Sequence, residues 1–240
     1  MTATLPVAQQ TRFGRAGAFT VELFSPTEVA RTVAAIEDVP DRLRRECWRV
    51  PGSNGMATIG EPLYRNRERF GYYTDRARAE NHVLYQHFRL AHDRVAAFFE
   101  QRYGAPVVYA QELAVPGFHV FDFERPGDFD GGGWHLDLLH TQVPYFAGRH
   151  FRIADVVNFT VPFEVPDGGS GMDLEDDLPG ARAPGGGAAV TVPYRPGTML
   201  FTEAEHWHRI GASHCHTPGQ RRITLQGHGV RLDTHWLLYW

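Results

Sequence analysis

Gly131-Gly132-Gly133-Trp134-His135-Leu136-Asp137 sets an imidazole and a carboxylate two residues apart, just after glycines that let the chain turn tightly. In an extended strand, residues i and i+2 point to one face, so His135 and Asp137 can both reach one ion. With 13 histidines in the chain, one such pair also fits a histidine at a barrel mouth hydrogen-bonded to a carboxylate. Two later stretches sharpen the reading: Phe201-Thr-Glu-Ala-Glu-His206-Trp207-His208 and Arg222-Ile223-Thr224. Two imidazoles and one carboxylate can hold one face of an Fe(II) ion and leave the other positions open. Arg222 and Thr224 form a second i, i+2 pair, and a guanidinium fork can take a carboxylate in bidentate fashion. Arg221 alternates to the other face, towards solvent.

A chain of 240 residues can build one sizeable core. It contains no lysine, so all 24 basic residues are arginine; with Ala and Gly also abundant, this reads as the codon bias of a GC-rich genome. The formal charge of −4 gives no basic field for nucleic acid. The arginine clusters (Arg42, Arg44, Arg45, Arg49; Arg65, Arg67, Arg69) are interrupted by Asp41, Glu46 and Glu68 and read as solvated faces. Cys47 and Cys215 make no disulfide framework and no C-x-x-C, so the expected compartment is a reducing cytoplasm. No apolar run approaches membrane-spanning length, and the N-terminus lacks a signal-type hydrophobic region.

Along the chain, a loose N-terminal arm is expected first. Ser25-Pro26-Thr27-Glu28 then predicts a capped helix start, with Val29, Val33 and Ile36 at helical spacing. Residues 51–74 read as irregular. The strongest helical stretch runs from Asp75 to Tyr103, closed by Gly104 at a C′ position. Strands are expected over Val107–Val115, Phe118–Glu124, Asp155–Phe163, Ala188–Pro193, Thr198–Thr202, Arg222–Val230 and His235–Trp240. Glu164–Gly187 reads as a long functional or mobile connection. Helices first and strands afterwards predict a single α+β domain, mainly β, over residues 1–240. Residues 1–104 would give mostly helical support and 105–240 a strand-rich core.

The order His135-x-Asp137, hydrophobic strand Asp155-Val-Val-Asn-Phe-Thr-Val-Pro-Phe163, Asp167-Gly168-Gly169, Tyr194-Arg-Pro-Gly197-Thr-Met-Leu-Phe201, His208, Arg222 resembles the Fe(II)/2-oxoglutarate-dependent oxygenases. The layout is closest to their prolyl-hydroxylase-like branch. The resemblance covers roughly the C-terminal half and implies a double-stranded β-helix (jelly-roll) core. It also implies Fe(II) on His135, Asp137 and His208, and 2-oxoglutarate as cosubstrate on Arg222 and Thr224. His206 lies two residues from His208, so pleat parity does not separate them; the Trp207-His208-Arg209-Ile210 context favours His208. His214 and His216 are expected in a solvent-exposed loop. The activity implied is oxidative decarboxylation of 2-oxoglutarate by oxygen, coupled to C–H oxidation. Asp137, at the position where related halogenases carry a small residue, points to hydroxylation, desaturation or cyclisation.

The expected substrate is a small polar molecule, such as a free amino acid or a natural-product intermediate. Glu112, His119, Asp122, His140, Thr141 and Gln142 are candidate contacts, and Tyr72 and Tyr73 a candidate aromatic wall. Neither nucleic acid nor membrane is an expected partner, and the oligomeric state is open. Trp236–Trp240 reads as a closing strand that could also cover the pocket or pair in a dimer. His135-x-Asp137-x-x-His140 suggests zinc hydrolysis but lacks further metal-ligand clusters. The second class of reading is a cupin-like metal-binding or sensor protein that keeps the metal without oxygenase turnover.

Overall fold

The computed structural model describes residues 11–13, 17–49, 55–175 and 189–240. The expected N-terminal arm before Thr11 and the second half of the expected 164–187 connection lie outside the described residues. The strands are β1 (Thr11–Phe13), β2 (Ala18–Glu22), β3 (Arg44–Arg49), β4 (Gly55–Ile59), β5 (Val107–Val108), β6 (Gly117–Phe123), β7 (Gly127–Phe129), β8 (Val156–Glu164), β9 (Gly171–Glu175), β10 (Ala189–Pro193), β11 (Thr198–Glu203), β12 (His208–Ile210), β13 (Ser213–Cys215), β14 (Gln220–Leu232) and β15 (His235–Tyr239). The helices are α1 (Pro26–Glu37), α2 (Phe70–His87) and α3 (Arg89–Tyr103).

The large sheet runs β1-β2-β11-β8-β14-β6-β4-β3, with β15 pairing β14 and β5. A small sheet β10-β9-β12 and a β7–β13 ribbon complete the strands. Alternation along the central strand β14 decides what each side of the large sheet does. Ile223 and Leu225 join Phe118, Val120, Val161, Phe163 and Phe201 in the main apolar cluster, where Phe98 and Phe99 of α3 also pack. Phe201 meets those two rings at centroid distances of 5.3 and 6.0 Å. Arg222, Thr224 and His228, at the intervening positions, point to the opposite side. So do His119 and Phe121, which pair with Thr224 and Arg222 across β6. Helices therefore seal one face, and the polar face is left for chemistry.

Ser25 caps α1 as expected: its hydroxyl accepts from the Glu28 amide, and the Glu28 carboxylate accepts from the Ser25 amide at 2.9 Å. Gly104 ends α3 at φ 62°, in the left-handed region that favours glycine. The single expected helix over 75–103 is in fact two, broken at Phe88 (φ −111°, ψ 30°), whose ring lies 4.4 Å from Phe118 between centroids. Besides the three helices, the N-terminal part supplies β1–β4; within the stretch expected to be irregular, β4 and the start of α2 are regular. The expected strand 107–115 shrinks to Val107–Val108. Beyond it the backbone is satisfied by side chains of α2: Asn81 donates to the Ala110 and Leu113 carbonyls and accepts from the Val115 amide. The Tyr73 hydroxyl accepts from the Ala114 amide at 2.7 Å.

Candidate active site

His135, Asp137 and His208 converge, each offering a ligand atom within 4.8 Å of the others. The convergence comes from the backbone. The segment carrying His135 is not a regular strand, contrary to the pleat argument; His135 instead forms an isolated antiparallel bridge with His208. Its amide donates to the His208 carbonyl at 2.9 Å, and the return bond is 3.1 Å. The imidazoles stand 4.4 Å apart between centroids. Asp137 follows as the chain turns into a 3-10 segment, Leu138–Thr141.

Each histidine has one ring nitrogen occupied. His135 Nδ1 lies 2.8 Å from the Gly133 carbonyl, and His208 Nδ1 lies 2.8 Å from the His206 carbonyl. A carbonyl only accepts, so both Nδ1 atoms carry the proton and both Nε2 atoms present lone pairs, the tautomer a metal ligand needs. Asp137 Oδ2 lies 3.1 Å from His208 Nε2, and Oδ1 lies 3.9 Å from His135 Nε2. Burial pushes the Asp137 carboxyl up, but the imidazoles of His208 and His228 outweigh it and hold the group below the usual carboxylate range. Burial pulls His208 down, yet the Asp137 carboxylate more than offsets that and raises it. This donor set, hard oxygen with two borderline nitrogens and one exposed side at His135, fits a divalent non-haem iron.

Beside this cluster lies a second one that lacks partners. Arg222 is 1% exposed and stacks over Phe121, its guanidinium carbon 3.8 Å from the ring centroid. Its Nη1 donates to Ser213 Oγ at 3.3 Å, whereas Nε and Nη2 have no partner among the described residues. Thr224 is equally buried, and its hydroxyl has no partner either. Burial brings Arg222 down to about 10, still charged at neutral pH. A buried cation with two open donors, next to an open hydroxyl, is costly unless an anion completes it. An acceptor-only group such as a carboxylate has the atoms that these donors lack.

The other candidates separate. His119 belongs to this region: it is 4% exposed, pairs with Thr224 across the sheet, and is held down to about 3 by burial and then by the Arg222 charge. His140 is buried beside Glu205, with Nδ1 3.5 Å from Oε1. Burial, then the Asp137 charge, pushes Glu205 up to about 8. Asp122 falls on the opposite face from His119, 4.0 Å from Arg44. Glu112 pairs with Arg78 at 3.3 Å. Thr141 donates to the Leu138 carbonyl, and Gln142 accepts from Arg67, both exposed. Tyr73 is wholly buried, its hydroxyl bonded to the Trp240 carbonyl, and Tyr72 is exposed under Arg69, so neither makes an aromatic wall. His206 is buried behind His208, and its ring nitrogen Nε2 has no partner among the described residues. His214 and His216 are exposed as expected, although His214 lies in β13 and bonds Asp128 at 2.8 Å. Trp236 and Trp240 are buried, and β15 closes onto β14.

Sequence reasoning did not find His228, Glu205 or Tyr64. His228 Nδ1 lies 2.8 Å from Asn158 Oδ1 and 3.8 Å from Asp137 Oδ2. Its signal was present as the fourth polar position in the alternation Arg222-x-Thr224-x-Gln226-x-His228. Tyr64 carried no such signal.

No protein-family model matches the chain, and no curated protein does. Solved structures do. An N-substituted L-amino acid dioxygenase from Burkholderia ambifaria AMMD superposes with a TM-score of 0.58 at 15% identity, over 93% of this chain and 86% of that one. The same dioxygenase has been solved in complex with alpha-ketoglutarate (TM-score 0.55). The non-haem alpha-ketoglutarate-dependent epimerase SnoN of nogalamycin biosynthesis gives 0.51 at 20% identity, over 91% and 80% of the chains. AviO1 from Streptomyces viridochromogenes Tue57 gives 0.50 at 15% identity, over 93% of each chain. The chain carries the jelly-roll fold of the non-haem iron, 2-oxoglutarate-dependent oxygenases.

Proposed function

We propose that the protein is a single-domain Fe(II)/2-oxoglutarate-dependent dioxygenase that hydroxylates a small polar molecule, such as a free amino acid or a natural-product intermediate. The observation that carries this reading is the pairing of two half-sites on one face. A His135–Asp137–His208 cluster has its nitrogen lone pairs set for a metal, and beside it a buried Arg222–Thr224 pair has its donors open. A cupin-like metal-binding protein needs the first and has no use for the second.

When bound, iron and 2-oxoglutarate would supply an oxygen-dependent oxidation in which the cosubstrate becomes succinate and carbon dioxide and a substrate C–H is oxidised. The chain's own residues do the rest. His135, Asp137 and His208 would hold the metal, and the Gly133 and His206 carbonyls keep the two imidazoles in the ligating tautomer. Arg222 and Thr224 would receive the distal carboxylate, and the Phe121 ring under the guanidinium keeps water from that side. The apolar α3–β14 face behind the sheet fixes the strand from which the clamp projects. Asp137 in the carboxylate position supports hydroxylation over halogenation. The dioxygenase with this fold acts on N-substituted L-amino acids, and the epimerase SnoN belongs to nogalamycin biosynthesis, which supports a small-molecule substrate. Both cysteines are free, which suits a reducing cytoplasm. No described helix is long and apolar enough to cross a membrane.

The test is anaerobic titration of metal-free protein with Fe(II) and then 2-oxoglutarate. The expected result is the weak visible charge-transfer band of a chelated 2-oxo acid, lost in Arg222→Ala while iron affinity stays within about twofold. Losing both carboxylate bonds weakens the cosubstrate by about a hundredfold or more. Iron binding without any band would return the protein to the metal-binding jelly-roll reading.

A further inference from the structure

His119 and Tyr64 form a pair that the metal and the carboxylate clamp leave unexplained. His119 projects from β6 beside Thr224, 4% exposed, with Nε2 2.9 Å from the Tyr64 hydroxyl and Nδ1 without a partner among the described residues. After burial itself, the charges acting on it are Arg222, Asp137, His228 and Arg65 in that order, the first from the clamp and the second from the metal cluster. Tyr64 is 36% exposed, on a 3-10 turn, Leu63–Arg65, packed edge-on against His119.

Four open polar atoms thus share the polar side of the large sheet and the space over it: Arg222 Nε and Nη2, Thr224 Oγ1 and His119 Nδ1. The guanidinium nitrogens only donate, and a hydroxyl can do so. A neutral imidazole has a single N–H. If it sat on Nε2, the lone pair of Nδ1 would face this space beside donors that must themselves serve an anion. If it sits on Nδ1, the whole surround is donor, matched to an acceptor-only carboxylate. The ring nitrogen left over then fixes the phenol: Nε2 can only accept, so Tyr64 must donate its proton inward.

We propose that His119 is a third hydrogen-bond donor to the bound cosubstrate through Nδ1–H, and that Tyr64, its proton committed to Nε2, presents only acceptor lone pairs outward. The inference rests on the 2-oxoglutarate reading above and deepens it. It assigns the substrate group that faces Tyr64 as a hydrogen-bond donor, an ammonium or a hydroxyl, and makes that position unfavourable for a carboxylate. His119 thus touches the cosubstrate directly and couples an occupied cosubstrate site to the polarity of the exposed tyrosine.

The experiment uses the full chain loaded with Zn(II), which is diamagnetic and supports no turnover. Nitrogen-15 resonances of the His119 ring, assigned by their loss in His119→Gln, report which nitrogen carries the proton with and without 2-oxoglutarate. Calorimetry on the same samples gives cosubstrate affinity. The expected result is Nδ1–H in the 2-oxoglutarate complex. His119→Leu should bind 2-oxoglutarate on the order of tenfold more weakly, with zinc affinity unchanged. His119→Gln, which keeps an N–H donor, should recover part of the loss, and Tyr64→Phe should lose only a few-fold. A melting curve for each variant separates misfolding from lost binding, and His119→Gln keeps the test decisive if His119→Leu does not fold. An Nε2–H ring in the complex, or unchanged affinity in both His119 variants, overturns the inference while wild-type binding that fails in Arg222→Ala leaves the oxygenase reading standing. No 2-oxoglutarate binding by the wild type would overturn that reading itself.

Discussion

Arg222 is the residue whose burial has the clearest cost. Its guanidinium is fully covered, with one weak bond to Ser213 and two open nitrogens. Replacing such a group by an apolar side chain of similar length is often neutral or stabilising, by roughly 1–4 kcal/mol, because the desolvation penalty disappears. Arg222→Met should therefore melt no lower than wild type in the absence of ligands. 2-Oxoglutarate should raise the melting temperature of the metal-loaded wild type and leave Arg222→Met unmoved. A ligand-free variant that melts several degrees lower would show that the arginine has structural partners instead. The metal cluster separates His206 from Asp137 by the same reasoning. His206 serves His208 through its backbone carbonyl, which alanine keeps, whereas Asp137 offers its own carboxylate. Asp137→Ala should weaken iron binding by about a hundredfold or more and His206→Ala far less; the reverse order in a metal titration would sink the ligand assignment. At this scale the grouping of His135 with Asp137 and of Arg222 with Thr224 was legible because each pair lies two residues apart, whereas His208 was joined to the first pair through the order of motifs along the chain. Tyr64 and Glu205 were not, because only the folded chain brings the Leu63–Arg65 turn to β6 and the β11–β12 connection to Asp137.

Among the elements, β14 organises the site, pairing with β6, β8 and β15 along 13 residues. Its alternation of apolar and polar residues was readable, and β6, β8, β11 and β15 were likewise placed within a residue or two. β3 and β4 were not. Arg44-Arg-Glu-Cys-Trp-Arg49 is charged, as suits a strand at the edge of the sheet, and β4 opens at Gly55 within a Gly- and Pro-rich stretch. Nothing in Tyr85-Gln-His-Phe88-Arg marks a helix break; docking of Phe88 on Phe118 decides it. Gly117, the first residue of β6, is the place where an element boundary can be tested. A Cβ there would stand 2.1 Å from the Trp240 ring and 2.5 Å from the Ile59 carbonyl, so strand and C-terminal tryptophan can close only on glycine. Gly117→Ala should cost about 1–3 kcal/mol, a fall of roughly 2–12 °C in melting temperature for a chain of this size. Wild-type stability in that variant would mean that the Trp240 ring does not lie against the strand.

Across the whole molecule, the buried histidines set how stability responds to acid. Burial lowers His92, His119, His140, His206 and His228, so the folded chain protonates these five at lower pH than the unfolded chain, which does so near pH 6.5. A depressed folded value gives stability that is present above the unfolded value and lost as pH falls. Two groups work the other way. Glu205, raised to about 8 by burial, and His208, raised by Asp137 against its own burial, favour the folded state in their protonated forms, and that contribution fades as pH rises through their folded values. Below about pH 6.5 the unfolded chain takes up histidine protons ahead of the folded chain, and the proton that Glu205 keeps in the fold offsets only part of this, so acid works against folding. Between about pH 6.5 and 8 the balance reverses, since Glu205 loses the proton that the fold favours, and the raised His208 acts in the same sense. Metal-free protein should therefore be most stable near pH 6.5, with a shallow decline towards pH 8 and a steep one towards pH 5. Melting curves across that range check it. A midpoint that rises steadily from pH 6.5 to 5 would show that the buried imidazoles meet carboxylates instead of apolar surface, and the polar face of the large sheet would then be an ion-paired core, not a cavity held ready for a dicarboxylate.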